Sequence, residues 1–240
     1  MTATVPARLA VTPAAVLAAL GTVRDPELDE PVTDLGFVAS CTVDADGVAD
    51  VHLRLPTYFC APNFAFLMVA DAYEAVSAVP GVCRADIILD DHFAAETINA
   101  GVAARSGFVG SFGDEAAAEL DELRRDFTRR AVLAGTDRVV RPLLAAGRSH
   151  AELAELTLGQ VPPSADLDRL CARRAELGLP AGADDAVLVD PQTGAAVEHG
   201  ALPMHLGRAR LSRVSAEANT GICRGMLHQR YPTTGQGEST

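Results

Sequence analysis

The sequence predicts an α+β protein: a small two-layer N-terminal domain of a three-stranded sheet with helices, followed by a mainly helical region. Apolar and polar residues alternate in three short segments before residue 91, which is typical of half-buried strands. From residue 114 to 178 the chain turns to Ala, Leu, Glu and Arg at helical spacing, without a strand signal. We therefore expect an α+β domain over 10–105, a helical extension over 114–231 and a disordered tail over 232–240.

A helix and an antiparallel hairpin open the predicted domain. Thr12 and Pro13 suit the N-cap and the first helical position, and Gly21 ends that helix. After a polar loop rich in carboxylates, strands are predicted over 36–43 and 51–55, joined by an Asp-Ala-Asp-Gly turn. Because this turn is short, the two strands should be antiparallel neighbours.

A second helix and a third strand complete the order α-β-β-α-β, and a third helix follows. Pro62 fits the first position of a helix that runs to about Ala78, and a strand over 82–90 and a helix over 94–105 follow. Helices on one face of a small sheet form two layers. Beyond them we expect a linker over 106–113, a hairpin or loop over 183–203, and a last helix over about 208–230.

Composition and charge exclude several classes of function. The chain is 48% apolar and 22% charged, which is an ordinary globular balance. Its 20 basic residues are all Arg and its net charge is −12, which argues against binding to nucleic acid or to anionic lipid. Without Lys the chain can form neither a Schiff base nor a Walker-type phosphate loop.

The sequence also indicates in which cellular compartment the protein is expected. It has no apolar run of about 18 residues, so we expect no transmembrane helix, and we interpret the N-terminal segment as a helix of the mature protein rather than a signal peptide. The five cysteines are scattered and include no CxxC pair, which argues against a disulfide scaffold and favours a reducing, cytoplasmic location.

One cysteine is a candidate for a metal-binding or reactive residue. Cys60 lies in a strand-to-helix turn before Pro62, where free helix N–H groups and the helix dipole favour a thiolate that can bind metal or react. The alternative is a turn cysteine packed beneath Phe59 and Phe64. Three others share a face with core residues and are expected to be small buried hydrophobes: Cys41, Cys83 and Cys171.

A second candidate is the acidic segment Asp25-Pro26-Glu27. The locked φ of the proline holds its two neighbouring carboxylates in a fixed relation. These carboxylates can ligate a metal, tune a nearby thiol or accept backbone hydrogen bonds. The alternative is a solvated Asp-Pro turn.

Together these residues form a pattern of four runs. They are Val23-Arg-Asp-Pro-Glu27, Asp34-Leu-Gly-Phe-Val38, Pro56-Thr-Tyr-Phe-Cys60 and Val79-Pro-Gly-Val82. Over about residues 12–95 the chain resembles the SufT/PaaD-like iron–sulfur assembly domain, a small α+β fold with one cysteine after the second hairpin strand. The resemblance implies a role in assembling or delivering clusters rather than catalytic turnover. It marks as site residues Asp25, Pro26, Glu27, Thr57 and Cys60.

The resemblance also bears on cofactor and partners. The Pro-Thr-Tyr run is most similar to the PaaD branch, which implies a multicomponent oxygenase as the client. A single thiolate cannot fill a cluster's ligand set, so iron or a cluster would be held transiently and shared. The missing ligands would come from a client metalloprotein, another assembly factor, a second copy in a homodimer, small thiols or the C-terminal half.

The helix after Cys60 is apolar around most of its circumference, with Phe64, Phe66 and Met68 among its large side chains. Such a helix must be covered on both sides. Either the helix over 94–105 covers it or a partner does, so these three residues are candidates for a partner interface.

A further set of possible metal ligands lies near the C-terminus: His199, His205, Cys223 and His228. A spacing of five residues on a helix separates Cys223 and His228 by about 140°, which is poor for one metal. The two earlier histidines fall in a predicted loop and can approach each other. The alternative is a polar surface with one buried thiol.

Three alternative functions remain open. The chain can be a thiol enzyme with Cys60 as nucleophile and His52 or His92 as base. It can be a metal-free adaptor that binds proteins. A nucleic-acid regulator would use the arginines at 124, 125, 129 and 130, but the carboxylates just before them favour ion pairs within the helix.

Overall fold

A three-stranded sheet with helices forms the N-terminal part of the chain, as predicted. The computed structural model describes residues 11–232, so the predicted tail over 232–240 lies outside the described residues except for Pro232. The elements in order are α1 (Pro13–Leu20), β1 (Val38–Val43), β2 (Val48–Arg54), α2 (Pro62–Ser77), β3 (Arg84–Asp90) and α3 (Ala95–Ala103). The α-β-β-α-β order and the α+β class are therefore confirmed.

The sheet has the order β1-β2-β3, with β2 in the centre. β1 and β2 are antiparallel, with Val43 opposite Ala49, whereas β2 and β3 are parallel, with Val48 opposite Arg84. The parallel pairing follows because α2 carries the chain back across the sheet between the two strands. Alternate residues of β2 are buried, as the hydrophobic pattern predicts.

The turn between β1 and β2 requires a glycine. Gly47 has a φ of +81°, and a Cβ at this position would lie 2.6 Å from the carbonyl oxygen of Gly81. The Asp44 carboxylate accepts the backbone N–H groups of Asp46 at 2.9 Å and of Val48 at 2.8 Å. These contacts fix the register of the β1–β2 hairpin. β2 then ends at Arg54, and the turn that contains Cys60 follows it.

The apolar helix α2 is covered by this chain itself. Phe66 is 7% exposed and Met68 is 3% exposed, while Phe64 is half-buried. The segment 107–112 is a short helix, α4 (Gly107–Phe112), rather than a linker, and its Phe108 ring meets Phe66 edge-on at 5.5 Å. Phe66 and Met68 are therefore buried within this chain and do not present an exposed surface to a partner.

The cysteines expected in the core are less buried than predicted. Cys83 is exposed, because β3 begins one residue later and Cys83 lies in the turn before it, where its N–H bonds to the Gly47 carbonyl at 2.8 Å. Cys41 and Cys171 are half-buried. The interpretation of Cys83 as a buried hydrophobe is wrong.

The remainder of the described chain is mainly helical, as predicted. It contains α5 (Asp121–Ala145), α6 (His150–Ala154), α7 (Ala165–Glu176) and α8 (Leu202–Arg230), with short 3-10 turns between them. Segment 183–198 is a loop in which Val189 and Ala196 form an antiparallel bridge, in agreement with the predicted hairpin or loop, and a 3-10 turn (His199–Ala201) and the start of α8 follow it. None of the helices in residues 11–232 is long and apolar enough to cross a membrane.

The described residues group into two compact units. The sheet unit contains 11–26, 30–120 and 220–232, and the helical unit contains 27–29 and 121–219. The last turns of α8 therefore belong with the sheet unit, although the sequence assigned them to the extension. The helical unit has its own apolar core, which includes Val132, Leu153, Leu170 and Leu188.

Candidate functional site

Cys60 lies in the turn between the end of β2 and the start of α2. The residue is half-buried, and its Sγ lies 3.4 Å from the hydroxyl of Thr57. Within residues 11–232, Thr57 is the only side chain that hydrogen-bonds to this thiol. Cys60 lies two residues before Pro62, the first residue of α2, and Ala61 between them is the N-cap of that helix. An accessible thiol at a helix N-terminus can ligate a metal or exchange with another thiol.

The imidazole of His92 holds this turn in place. Its Nε2 donates to the Cys60 carbonyl at 2.7 Å, and its Nδ1 accepts the N–H of Ala94 at 3.2 Å. These bonds fix the neutral tautomer that carries its proton on Nε2. Burial lowers the pKa of His92, and the Arg230 charge lowers it further, against the opposing effect of the Cys60 hydrogen bond. The N–H of Phe93 adds a second link, to the Tyr58 carbonyl at 3.1 Å.

The end of α8 forms a clamp on the same region of the sheet unit. Arg230 donates to the Leu55 carbonyl at 3.1 Å and pairs with the Asp91 carboxylate at 2.6 Å. The Tyr231 hydroxyl also donates to Asp91, at 2.8 Å, and the Arg54 guanidinium lies 4.7 Å from the centre of the Tyr231 ring. Burial, with the hydrogen bond to Asp91, raises the pKa of Tyr231 to about 12. We call Arg230, Tyr231 and Asp91 the C-terminal clamp.

Three aromatic rings are exposed beside the thiol. Phe59 is 75% exposed, Phe93 48% and Tyr58 44%, and their ring centres lie 5.0–6.3 Å apart. We call these three residues the aromatic patch. Contiguous exposed aromatic side chains are typical of surfaces that bind other proteins. Since Phe59 points largely to solvent, it does not seal Cys60.

The acidic segment crosses the boundary between the two units. Asp25 is buried in the sheet unit, and its N–H donates to the Glu30 carbonyl at 3.0 Å. Pro26 is the last residue of the first segment of that unit. Glu27 belongs to the helical unit, where it accepts a hydrogen bond from Asn219 at 3.1 Å. Asp25 and Glu27 therefore belong to different units.

Sequence analysis missed the structural role of Asp29 in the same loop. Asp29 has a φ of +53°, and its buried carboxylate accepts the Nε–H of Arg173 at 2.6 Å. Both residues belong to the helical unit. No local signal connects them, because 144 residues separate them along the chain.

The C-terminal histidines and Cys223 do not assemble a metal centre with other side chains. His205 is buried on α8 and burial lowers its pKa, while His199 is exposed in a short 3-10 turn. Cys223 is half-buried and His228 is exposed near the end of α8. Among residues 11–232, no three or more His, Cys, Asp or Glu side chains are grouped closely enough to hold a metal ion.

Neither histidine considered as a base meets the Cys60 thiol. His52 is engaged by Asp90 at 2.9 Å and by Asp50 at 3.4 Å. Both ring nitrogens of His92 are occupied by backbone groups. Within residues 11–232, neither imidazole forms a hydrogen bond with the Cys60 sulfur.

Comparison with known proteins gives a family match for the N-terminal part of the chain. A family model described as iron–sulfur cluster assembly protein matches residues 13–87, from α1 into β3. The chain is also 32% identical over 89 residues to an uncharacterized protein of Methanocaldococcus jannaschii, an alignment that covers 37% of this chain and 92% of that protein. No solved structure gives a significant match.

Proposed function

Since the chain belongs to the family of iron–sulfur cluster assembly proteins, we propose that Cys60 holds iron or a nascent cluster transiently and passes it to a partner protein. The observation that carries this proposal is the position of the Cys60 sulfur, half-buried at the start of α2 and in contact with Thr57. The cluster is cargo here, and Cys60 is the point at which the chain holds it.

The ligands available support a shared site. An iron–sulfur cluster usually takes about four cysteine ligands. Within residues 11–232, Cys60 is not part of any group of three or more His, Cys, Asp or Glu side chains that could hold a metal ion. A partner must therefore supply the remaining ligands, and incomplete coordination by this chain makes release to a client easy.

The surroundings of Cys60 suit a sulfur ligand that exchanges. The Thr57 hydroxyl lies 3.4 Å from the sulfur and can donate a hydrogen bond to it. His92 keeps the backbone of the turn fixed through the Cys60 carbonyl. Transfer then requires a partner thiolate to replace Cys60 at one iron, with no change in oxidation state.

The partner binds, in this proposal, through the aromatic patch. Its three rings are exposed next to Cys60, so a protein that contacts them brings its own thiols near the sulfur. We propose a client metalloprotein, and among clients a multicomponent iron-dependent oxygenase. The resemblance of the run Pro56-Thr57-Tyr58 to the PaaD branch supports that choice.

Anaerobic reconstitution tests the role of Cys60. The purified chain is incubated with iron, cysteine and a cysteine desulfurase, and visible absorption and bound iron are measured. We expect Cys60→Ser to lose the bound iron, because it removes the sulfur that binds the iron in this proposal. Cys83→Ser is the matched control, since Cys83 is exposed in another turn of the same unit and should leave loading unchanged. Equal loading of Cys60→Ser and the unsubstituted protein would contradict the proposal.

A metal-free adaptor is the second candidate, and the aromatic patch is the observation that favours it. An adaptor would bind its client equally well with Cys60→Ser, whereas Phe59→Ala would weaken the complex. Loss of iron loading in Cys60→Ser distinguishes the first candidate from this one.

A further inference from the structure

The helical unit contains a cavity that the proposed function does not use. Its volume is about 370 Å³, within the range of about 300–1,000 Å³ that small-molecule sites occupy. Every residue that lines it belongs to the helical unit, and Cys60 is not among them. We call it the arginine cavity, because Arg130, Arg138 and Arg208 line it.

The walls of the arginine cavity are largely apolar. Phe127, Ala131, Leu133 and Ala134 are buried residues of α5 that form much of this surface. Leu211 of α8 also lines the cavity, although it is 70% exposed. An apolar side chain left open beside an apolar wall gains free energy when a ligand with an apolar body covers it.

The guanidinium groups provide the polar end of the site. Arg130 and Arg208 are exposed, and neither forms an ion pair with a carboxylate of residues 11–232. Arg130 lies over the Phe127 ring at 4.9 Å from its centre. The two carboxylates that line the cavity have partners of their own, since Asp29 pairs with Arg173 and Glu27 bonds to Asn219.

Arg138 adds a third, deeper guanidinium. Its nearest carboxylate oxygen, on Glu217, is 4.0 Å away, and the other oxygen of Glu217 is bonded to Arg213 at 2.5 Å. The Nη1 of Arg138 is buried and has no hydrogen-bond partner among residues 11–232. In this conformation Nη1 is shielded, so the Arg138 side chain must shift to meet a ligand, and an acceptor there would satisfy the donor.

From these features we infer that the helical unit binds a small organic monocarboxylate with an apolar body. The carboxylate lies against Arg130 and Arg208, and the body lies against the α5 wall. Three arginines and two carboxylates line the cavity, a balance of +1 that fits one negative charge. The acidity of the whole chain, with a net charge of −12, disfavours a polyanion.

Isothermal titration of the full chain with octanoate tests the inference. We expect saturable binding by the unsubstituted protein and an affinity about tenfold lower for Arg208→Gln, because a charge-assisted hydrogen bond is lost. Arg210→Gln is the matched control, since Arg210 is exposed on the same helix but does not line the cavity, and its affinity should stay within about twofold. Ala216→Trp, which fills the cavity from α8, should abolish binding.

Two further probes test the class of ligand. 1-Octanol has the apolar body without the charge, and inorganic phosphate has the charge without the body. Weaker binding of both than of octanoate supports the assignment. Absence of saturable octanoate binding, equal affinities of Arg208→Gln and the unsubstituted protein, or tighter binding of octanol or phosphate would overturn it.

Discussion

The imidazole of His92 joins two segments that are 32 residues apart in the chain. Its two hydrogen bonds fix the carbonyl of Cys60 on one side and the N–H of Ala94 on the other. Removal of the ring leaves both backbone groups without these partners in a buried environment, which is costly. His92 is therefore a positioning residue for the thiol turn and not a base for the thiol.

Substitution of His92 by Ala should destabilise the protein and alter the thiol. We expect a loss of about 1–3 kcal/mol in the free energy of unfolding, the usual effect of orphaned buried hydrogen-bonding groups. The alkylation rate of Cys60 should rise relative to that of Cys83, because the turn becomes mobile. Urea unfolding and mass spectrometry of alkylated peptides measure the two effects.

His228→Ala is the control for this prediction, since His228 is an exposed residue of the same unit. It should change the free energy of unfolding by less than about 0.5 kcal/mol. If His92→Ala behaves like this control in both measurements, the positioning role is wrong.

At this scale the sequence predicts local contacts and misses distant ones. The contact between Thr57 and Cys60 is predictable, because the two residues are three positions apart in one turn. The bond from His92 is not, because it depends on the register of β3 against β2. Likewise, Arg174 is fully buried and donates to the Ala186 carbonyl at 2.8 Å. The sequence around Arg174 does not predict this burial.

The secondary-structure elements follow the sequence more closely than the contacts between them do. The alternation within β2 and the proline that begins α2 are local signals, and both elements are present where these signals place them. The apolar circumference of α2 shows that the helix must be covered, but it does not identify the segments that cover it. Phe108 covers part of it from a segment whose Gly and Ser content favours a linker.

The C-terminal clamp makes the last turns of α8 part of the thiol site. Arg230→Gln should loosen the turn, because it breaks the ion pair with Asp91 and weakens the bond to the Leu55 carbonyl. Hydrogen exchange should become at least about tenfold faster at the amides of 55–60 and 91–94, which corresponds to about 1.4 kcal/mol in local opening free energy.

Gln229→Ala provides the comparison for the clamp. Gln229 is exposed on the preceding position of α8 and makes no contact with the turn within residues 11–232. Its exchange rates should match those of the unsubstituted protein. Protection of 55–60 that is unchanged in Arg230→Gln would show that the clamp does not hold the thiol turn.

At the scale of the whole molecule, each unit contains a buried histidine whose pKa burial lowers. His92 lies in the sheet unit and His205 in the helical unit, and both have an ordinary pKa of 6.5 when unfolded. As the pH falls below 6.5, the unfolded chain takes up protons that the folded chain resists. The free energy of unfolding should therefore decrease over this range.

The double variant His92→Gln, His205→Gln tests this dependence. Denaturant unfolding at pH values between about 7.5 and 5.5, the range in which histidine titrates, should show a flatter decline in the variant than in the unsubstituted protein. Equal slopes would show that these two imidazoles do not control acid sensitivity.

The discontinuous make-up of the sheet unit has a consequence for how the chain is made. Its strands and first helices emerge from the ribosome early, but residues 220–232 arrive only after the whole helical unit has been synthesised. Domains generally fold in order during translation. Here the last part of the sheet unit joins it only after the helical unit has been made, and a fragment that ends at Leu120 would display the Leu55 carbonyl and the Asp91 carboxylate without Arg230.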